Sequence, residues 1–421
     1  MFEANYPTDN VFKFRAVPIK FGLGALGEIF YDLKSFNAKK VLVVTDEYLS
    51  SKTNVVKSLV SILSEHGIQS EVWAGVEPEP SDTSIISGIN FCKDLNFDVV
   101  VGLGGGSSID TAKLINLYTT FEADFYTYFA PPIGLGKEIP GRLKPLIAIP
   151  TTSGTGSEVT GVAVVTFKER WLKFGISHEY LVPSLAILDP ILTLTMPPTT
   201  TANTGIDALM HAIEAYTTRS FDTRIKPEDP SKRPVYQGST PLTDSLAELA
   251  IKYISKYLLR AYINGIDLEA RSYMHLAAHI AGIAFANAGV HIPHALSYPL
   301  ATLCMKKNIK LSHGLAVGVF GPSTLKALSH YLPEKCQTIS KLLFNFTPDC
   351  SVKPDNAWKA LTTLLKLLKF PNGLTGLGIT EDDVDVIAEE ALAQKRLLAQ
   401  SPMTVSKDLL KEIVEGSMRF W

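Results

Sequence analysis

Three things are scarce in this sequence, and each scarcity closes off a class of protein. Only four cysteines, Cys92, Cys304, Cys336 and Cys350, occur in 421 residues. They are scattered, with no C-x-x-C pair, so neither a disulfide framework nor a cysteine metal site is expected. They read as reduced thiols of a cytoplasmic protein. No apolar run approaches the ~20 residues of a membrane-spanning helix. Neither sign of charge is in excess: Lys+Arg number 40 against 42 Asp+Glu, for a net −2. Without basic runs, nucleic acid and membrane surfaces are excluded as main partners. The opening "MFEANYPTDN" has no apolar stretch and no Arg-rich amphipathic pattern, so no export or organelle signal is read there. What remains is 46% hydrophobic and 19% charged, enough core for two domains.

The chain has two grammars. In the first half short β-branched runs alternate with helical patterns. "KVLVVTD" (Lys40 to Asp46), "FDVVVGLGGG" (Phe97 to Gly106), "PLIAIPTT" (Pro145 to Thr152) and "SLAILDP" (Ser184 to Pro190) read as buried parallel strands. After the Pro197–Pro198 pair these runs give way to long helical segments, such as "SLAELAIKYISKYLLRAYI" and "RSYMHLAAHIAGIAFANAG". The expected fold is an α/β domain with a parallel, Rossmann-like sheet over residues 1–195, then an all-helical domain over 196–421, with a cleft between them. "DTRIKPEDPSKRPVYQGSTP" reads as an exposed loop of the helical part.

Two glycine-rich turns compete for a dinucleotide. "FGLGALG" (Phe21 to Gly27) satisfies G-x-G-x-x-G and has Asp46 downstream, but the run before it is short and carries Pro18 and Lys20. "VVVGLGGGSSIDTAK" places Gly104, Gly105 and Gly106 at the end of a strongly apolar strand and opens a helix at Ser107. Consecutive glycines let the backbone approach a pyrophosphate, and the helix N-terminus offers N–H groups and a positive dipole end. A tight turn alone is the plainer reading. "PTTSGTGSEVT" adds a strand-end turn with hydroxyls from Thr151, Thr152, Thr155 and Ser157. Asp46 would accept from a ribose hydroxyl and favour NAD over NADP, or cap the next helix; the two roles are compatible.

In "TGIDALMHAIEAY" (Thr204 to Tyr216), Asp207 and His211 lie four residues apart, on one face of an otherwise apolar helix. Burying either group alone is costly. Either the two form a structural pair, or they are half of a metal site completed from His291, His294 and His313 in "AGVHIPHALSYPLATLCMKKNIKLSHGLA". One carboxylate with imidazoles suits Zn²⁺ or Fe²⁺ and does not suit Ca²⁺ or Mg²⁺.

These residues carry a resemblance. "GGGS" with Asp110, "PTTSGTGSE" (Pro150 to Glu158) and "DALMHAIE" (Asp207 to Glu214) resemble the iron-containing (group III) alcohol dehydrogenase family, over nearly the full length. The resemblance implies a dehydroquinate synthase-like architecture, and pyrophosphate binding at Gly104, Gly105, Gly106, Ser107 and Asp110, which makes "FGLGALG" a decoy. It implies nicotinamide contacts from Thr151, Thr152 and Lys173, with Thr155 in the same loop. It also implies metal ligation by Asp207, His211, His294 and His313, with Fe²⁺ first and Zn²⁺ second, and NAD(H) as cofactor with NADP as the alternative. Where the family mostly reads "HxxxHPxG", this chain has "HALSYPLA". His294 stays as a catalytic ligand, and Tyr298 replaces a histidine at a proton-relay position, where ring packing is an equal reading. Tyr298 and its surroundings resemble the transhydrogenase branch of the family.

The resemblance implies hydride transfer from 4-hydroxybutyrate to 2-oxoglutarate through a nicotinamide that stays bound. The alternatives are an alcohol or 4-hydroxybutyrate dehydrogenase with exchangeable cofactor, and a lyase of the dehydroquinate synthase type. Substrates are small molecules, the assembly is expected to be a homodimer or larger homo-oligomer, and Arg271 and Arg233 are candidate partners for a substrate carboxylate.

Overall fold

The computed structural model describes residues 8–170, 172–347 and 351–421, so Cys350 and most of the opening segment lie outside the described residues. The chain divides into two compact units, one of Ala16–Met196 and the other of Pro197–Trp421 joined by the N-terminal residues up to Arg15.

The first unit is built on six parallel strands: β1 (Ile19–Phe21), β2 (Lys40–Asp46), β3 (Gln69–Val76), β4 (Val99–Gly104), β5 (Leu146–Pro150) and β8 (Leu185–Leu188). Their order is β1-β8-β5-β4-β2-β3, while β6 (Val162–Phe167) and β7 (Leu172–Ser177) pair antiparallel as a separate hairpin that the sequence reading did not foresee. Successive strand side chains point to opposite faces. Val41, Val43, Val99, Val101 and Ile147 therefore meet Ile29, Leu33 and Leu59 on one side. Leu42, Val44 and Val100 meet Trp73, Ala112 and Ile115 on the other. A sheet covered on both faces needs continuous apolar strands, which is what the sequence supplies. The chain runs from β2 to its neighbour β3 and then crosses back to β4 on the other side of β2. The order reverses there, and ligands of open α/β sheets bind beyond the strand ends at such a reversal. Asp46 and Gly104 end the two strands that flank it.

The "FGLGALG" turn follows the edge strand β1. Its N–H groups are already taken: Gly24 and Leu26 donate to the Asp189 carboxylate at 3.1 and 3.2 Å. Asp189 also accepts from Ile191 N–H at 3.1 Å. A turn whose donors face an internal carboxylate has nothing to offer a phosphate.

The second unit is helical, with only isolated bridges among its described residues. Its central helix, Pro198–Thr217, starts with Pro198 in the first turn, where the missing N–H costs nothing. The Pro241–Ile263 and Leu268–Ala288 helices pack against it and against each other. Small residues allow the close approach: Ala208, Ala212, Ala247, Ala250, Ala277 and Ala281 are all fully buried. A Cβ at Gly205 would come 2.2 Å from Leu258 Cδ1. Residues 8–15 were expected in the α/β domain but pack here. Asp9 is gripped by Arg224 and Arg233 at 3.1 and 2.8 Å. Backbone N–H groups of Lys13 and Arg15 donate to Gln237 and Asn287, each at 2.8 Å. Hydrophobic periodicity carries no trace of such polar strapping. No single helix among the described residues is long and apolar enough to cross a membrane.

Replacing Asp189 by Ala leaves three N–H groups without their acceptor, at about 1–3 kcal/mol for each one that water does not reach. Asp189→Ala is expected to lower unfolding free energy by about 3 kcal/mol in denaturant titration, and an unchanged midpoint would disprove the cap.

Candidate metal centre and dinucleotide site

The Pro198–Thr217 helix presents Asp207, His211 and Glu214 along one stripe, and all three are buried. The Leu268–Ala288 helix ends at Gly289, whose φ of +100° suits glycine, and the chain bends by 99° into the Ile292–Lys306 helix. That bend sets His294 in the first turn of the new helix and Tyr298 one turn later. The third segment arrives at the short His313–Gly318 helix. A Cβ at Gly314 would lie 1.9 Å from Asn203 O and 3.1 Å from Asp207 Cβ. Glycine after His313 is therefore what lets this segment reach the central helix.

The three imidazoles converge on one oxygen. Asp207 Oδ1 lies 3.9 Å from His211 Nε2, 3.9 Å from His294 Nε2 and 3.7 Å from His313 Nε2. These spacings are long for hydrogen bonds. They fall inside the ~4.4 Å that two ligands can span across an ion bonded at about 2.0–2.2 Å to each. The His211 ring stacks on Phe285 at 4.1 Å and on His294 at 4.8 Å, which fixes its plane. His313 is the most exposed of the four, at 46% of its side chain.

The donor set fits a divalent cation. Asp207 Oδ1 and His294 Nε2 are buried without a hydrogen-bond partner. Burial pushes the Asp207 carboxyl up to about 7; His294 works against that rise and Glu214 adds to it. Burial disfavours charge on His294, yet Glu214 and Asp207 still hold it above the ordinary imidazole value. Asp207, His294 and His313 offer ligand atoms that all lie within 4.8 Å of one another, with His211 beside them. A carboxylate with imidazole nitrogens is ligand chemistry suited to Fe²⁺ or Zn²⁺.

The role of Glu214 was not read from the sequence. Its Oε1 lies 2.6 Å from His294 Nδ1, and its Oε2 accepts the His291 backbone N–H at 2.7 Å. Burial raises the cost of its charge, but His294 and His291 hold its carboxyl below the usual range. With Nδ1–H given to Glu214, the Nε2 lone pair of His294 is left for the converging point. A carboxylate three residues past His211 on the same buried face was the available signal. His291 does not join the cluster: its Nε2 pairs with Thr217 Oγ1 at 3.0 Å, and burial lowers its pKa to about 4. Tyr298 is half-buried and packs against the helical core.

In the α/β unit, Gly104 has φ +147°, and a Cβ there would meet Ser108 Oγ at 2.3 Å. The Gly106–Thr120 helix starts at Gly105 with no side chain capping it. Thr152 and Thr155 lie beside Gly105 and Gly106, and Thr151 N–H is bonded to Gly104 O at 2.9 Å. The two strand-end turns are thus joined. Asp46 caps the next helix by accepting from Leu49 N–H at 2.9 Å, which leaves its other oxygen unassigned. Ser107 Oγ donates to Pro78 O at 2.6 Å, and Lys173 Nζ pairs with Glu79 at 2.7 Å, so the loop before the helix at Asp82 links both to one neighbourhood. Asp110 faces inward. It accepts from Ser157 Oγ and from Val164 N–H at 3.0 Å, and sits 3.5 Å from the fully buried Lys113 ammonium. Lys113 also donates to Ser157 Oγ, Thr160 Oγ1 and Val162 O. Burial drives its pKa down, while Asp110 and Glu158 oppose this. Asp110→Ala would strand that ammonium, so a loss of about 3–5 kcal/mol is expected in chemical denaturation; a loss under 1 kcal/mol would refute the pairing.

Residues 17–190 match the iron-containing alcohol dehydrogenase family, and residues 235–418 match its C-terminal region. The chain is 39% identical over 427 residues to the mitochondrial hydroxyacid-oxoacid transhydrogenase of Bos taurus, covering 98% of this chain and 91% of that one. 1,3-Propanediol oxidoreductase superposes with a TM-score of 0.83 at 31% identity, covering 97% of this chain and all (100%) of that one. Sulfoacetaldehyde reductase of Bifidobacterium kashiwanohense, solved with NAD⁺, gives 0.81 at 26% identity, covering 97% and 99%. The expectation of a cytoplasmic protein is corrected by the first of these, a mitochondrial enzyme by name. Scarce reduced cysteines suit any reducing compartment, and ten residues without a leader pattern say nothing about compartment where leaders are removed. With both halves matched, the lyase reading is set aside: the chain belongs to the iron-containing alcohol dehydrogenase family and is an oxidoreductase, a membership that implies a divalent metal and NAD(H).

Proposed function

We propose that this protein is a hydroxyacid-oxoacid transhydrogenase, oxidising 4-hydroxybutyrate while reducing 2-oxoglutarate, with Asp207, His211, His294 and His313 as the metal ligands. The convergence of three imidazole Nε2 atoms on Asp207 Oδ1 carries the reading. The named transhydrogenase relative supports the substrate pair and suggests a mitochondrial setting for this chain. A bound divalent ion, Fe²⁺ before Zn²⁺, supplies Lewis-acid polarisation of the substrate oxygen, and NAD(H) accepts and returns the hydride.

The chain's own residues do the rest. Asp207 supplies the one negative charge among the ligands, and the imidazoles bind as neutral rings through Nε2. Glu214 holds the His294 ring by its Nδ1–H, so the ligand cannot swing or take up a proton on the wrong nitrogen. Gly104, Gly105, Gly106 and Ser107 form the pyrophosphate cradle at the open N-terminus of the Gly106–Thr120 helix. Hydroxyls of Thr151, Thr152 and Thr155 orient the cofactor, with Lys173 on the nicotinamide side. Asp46 accepts from the ribose with the oxygen that its cap leaves over. Asp110 acts by shaping the cradle from behind. Tyr298, one turn from His294, passes the hydroxyl proton outward.

Glu214→Gln is expected to weaken metal affinity about 10–100-fold, and His294→Ala to abolish metal retention, both by metal analysis of the purified variants. Full metal content in His294→Ala would show that the ligand set is wrong. Mixing the enzyme with 4-hydroxybutyrate and 2-oxoglutarate without added nicotinamide is expected to give turnover. Turnover that appears only when NAD is supplied would select a dehydrogenase with exchangeable cofactor instead.

A further inference from the structure

The two cations that the sequence offered for a substrate carboxylate are committed elsewhere. Arg271 is fully buried, donating from Nε to Gly265 O and from NH1 to Thr201 Oγ1, each at 2.8 Å. Arg233 grips Asp9 with two bonds of 2.8 and 3.1 Å.

A third guanidinium makes no ion pair with an acid among the described residues. Arg396 is exposed on the short Lys395–Leu398 helix, which packs against the Ile292–Lys306 helix that carries His294 and Tyr298. Its guanidinium stands 4.9 Å over the Tyr236 ring. Among the described residues, the groups that raise its pKa are Tyr236 and Tyr298, and neither is a carboxylate. The mounting is rigid. Tyr236 and Gln400 are pinned over Gly289, where a Cβ would lie 3.1 Å from Tyr236 Cβ and 2.8 Å from Gln400 Cγ. Two residues later His291 N–H is held by Glu214, the same carboxylate that orients His294. An arginine seated over a tyrosine ring, with no acid beside it among the described residues, presents a planar fork of donors matched to a carboxylate.

We propose that Arg396, steadied by Tyr236 beside Tyr298, receives the substrate carboxylate and makes the site selective for hydroxy- and oxoacids over neutral alcohols. The inference rests on the function proposed above and names its specificity residue. From the His294 level to the Tyr298 level, four residues on, the helix climbs about 6 Å, comparable to the reach of a four-carbon acid. The geometry also accounts for two substrates sharing one site. In 4-hydroxybutyrate the carboxylate carbon lies three bonds from the carbinol carbon. In 2-oxoglutarate the distal carboxylate carbon lies three bonds from the oxo carbon, so one guanidinium serves both in turn.

The test is calorimetric titration of the metal-loaded enzyme with 4-hydroxybutyrate and with 1,4-butanediol, which replaces the carboxylate by a neutral hydroxyl. The wild type is expected to prefer the acid by about 10–100-fold, the range of a hydrogen-bonded charge, and Arg396→Gln to bring the ratio close to one. Arg396→Lys keeps the charge without the fork; it is expected to retain a few-fold preference and serves if the glutamine variant does not fold. A wild-type ratio near one, an undiminished ratio in either variant, or acid and diol weakening in parallel overturns the proposal. An Arg396-dependent preference without nicotinamide-free turnover would sink the transhydrogenase reading and leave the carboxylate site standing. Nicotinamide-free turnover with an unaltered ratio in Arg396→Gln would do the reverse.

Discussion

The Asp207 carboxylate is the constraint around which the helical unit is organised. A buried carboxylate whose Oδ1 has no hydrogen-bond donor among the described residues is expensive, and a ring from its own helix and rings from two further segments are brought to it. The central helix supplies His211 from its own next turn. The bend at Gly289 delivers His294, and the glycine after His313 admits the third ring past a backbone carbonyl. The small residues between the long helices let those helices close around the central one. Stability and function pull in opposite directions here, with local electrostatics left unbalanced by the chain and balanced by what it binds.

Glu214 ties those parts together. One oxygen fixes the His294 ring and the other fixes the backbone where the new helix begins. The orientation of the His294 ring and the path of the chain leading to it are therefore set by one side chain. Tyr236, whose ring lies under Arg396, packs over the same turn at Gly289.

How far the sequence could be read follows from the physics of each feature. The four ordered strands and the long helices were legible because continuous β-branched runs and 3.6-residue periodicity are local signals; β2 runs over Lys40–Asp46 as read. The acid–imidazole pair was legible because a carboxylate on an apolar face is a local anomaly. The β6–β7 hairpin was missed, since the polar stretch Lys168–Arg170 between its strands carries no turn signature of Gly, Pro or Asn. Residues 8–15 were misplaced because their attachment depends on Arg224, Arg233, Gln237 and Asn287, over two hundred positions away. Asp110 reads as a cofactor contact on account of its motif. Its hydrogen bonds to Ser157 and Val164 and its pairing with Lys113 were not legible, because they span long stretches of chain or involve a buried ammonium. Arg396 had no signal at all, because being an arginine without an acid is a property of space and not of spacing.

The buried Lys113 carries a last implication. An ammonium bonded to Asp110, Ser157, Thr160 and the Val162 carbonyl clasps the back of both glycine-bearing turns from inside the unit. Their curvature is thus set before any dinucleotide arrives, and docking has little disorder to freeze. A cradle moulded in advance gives up little conformational freedom when it is filled, because its shape is held from within the unit.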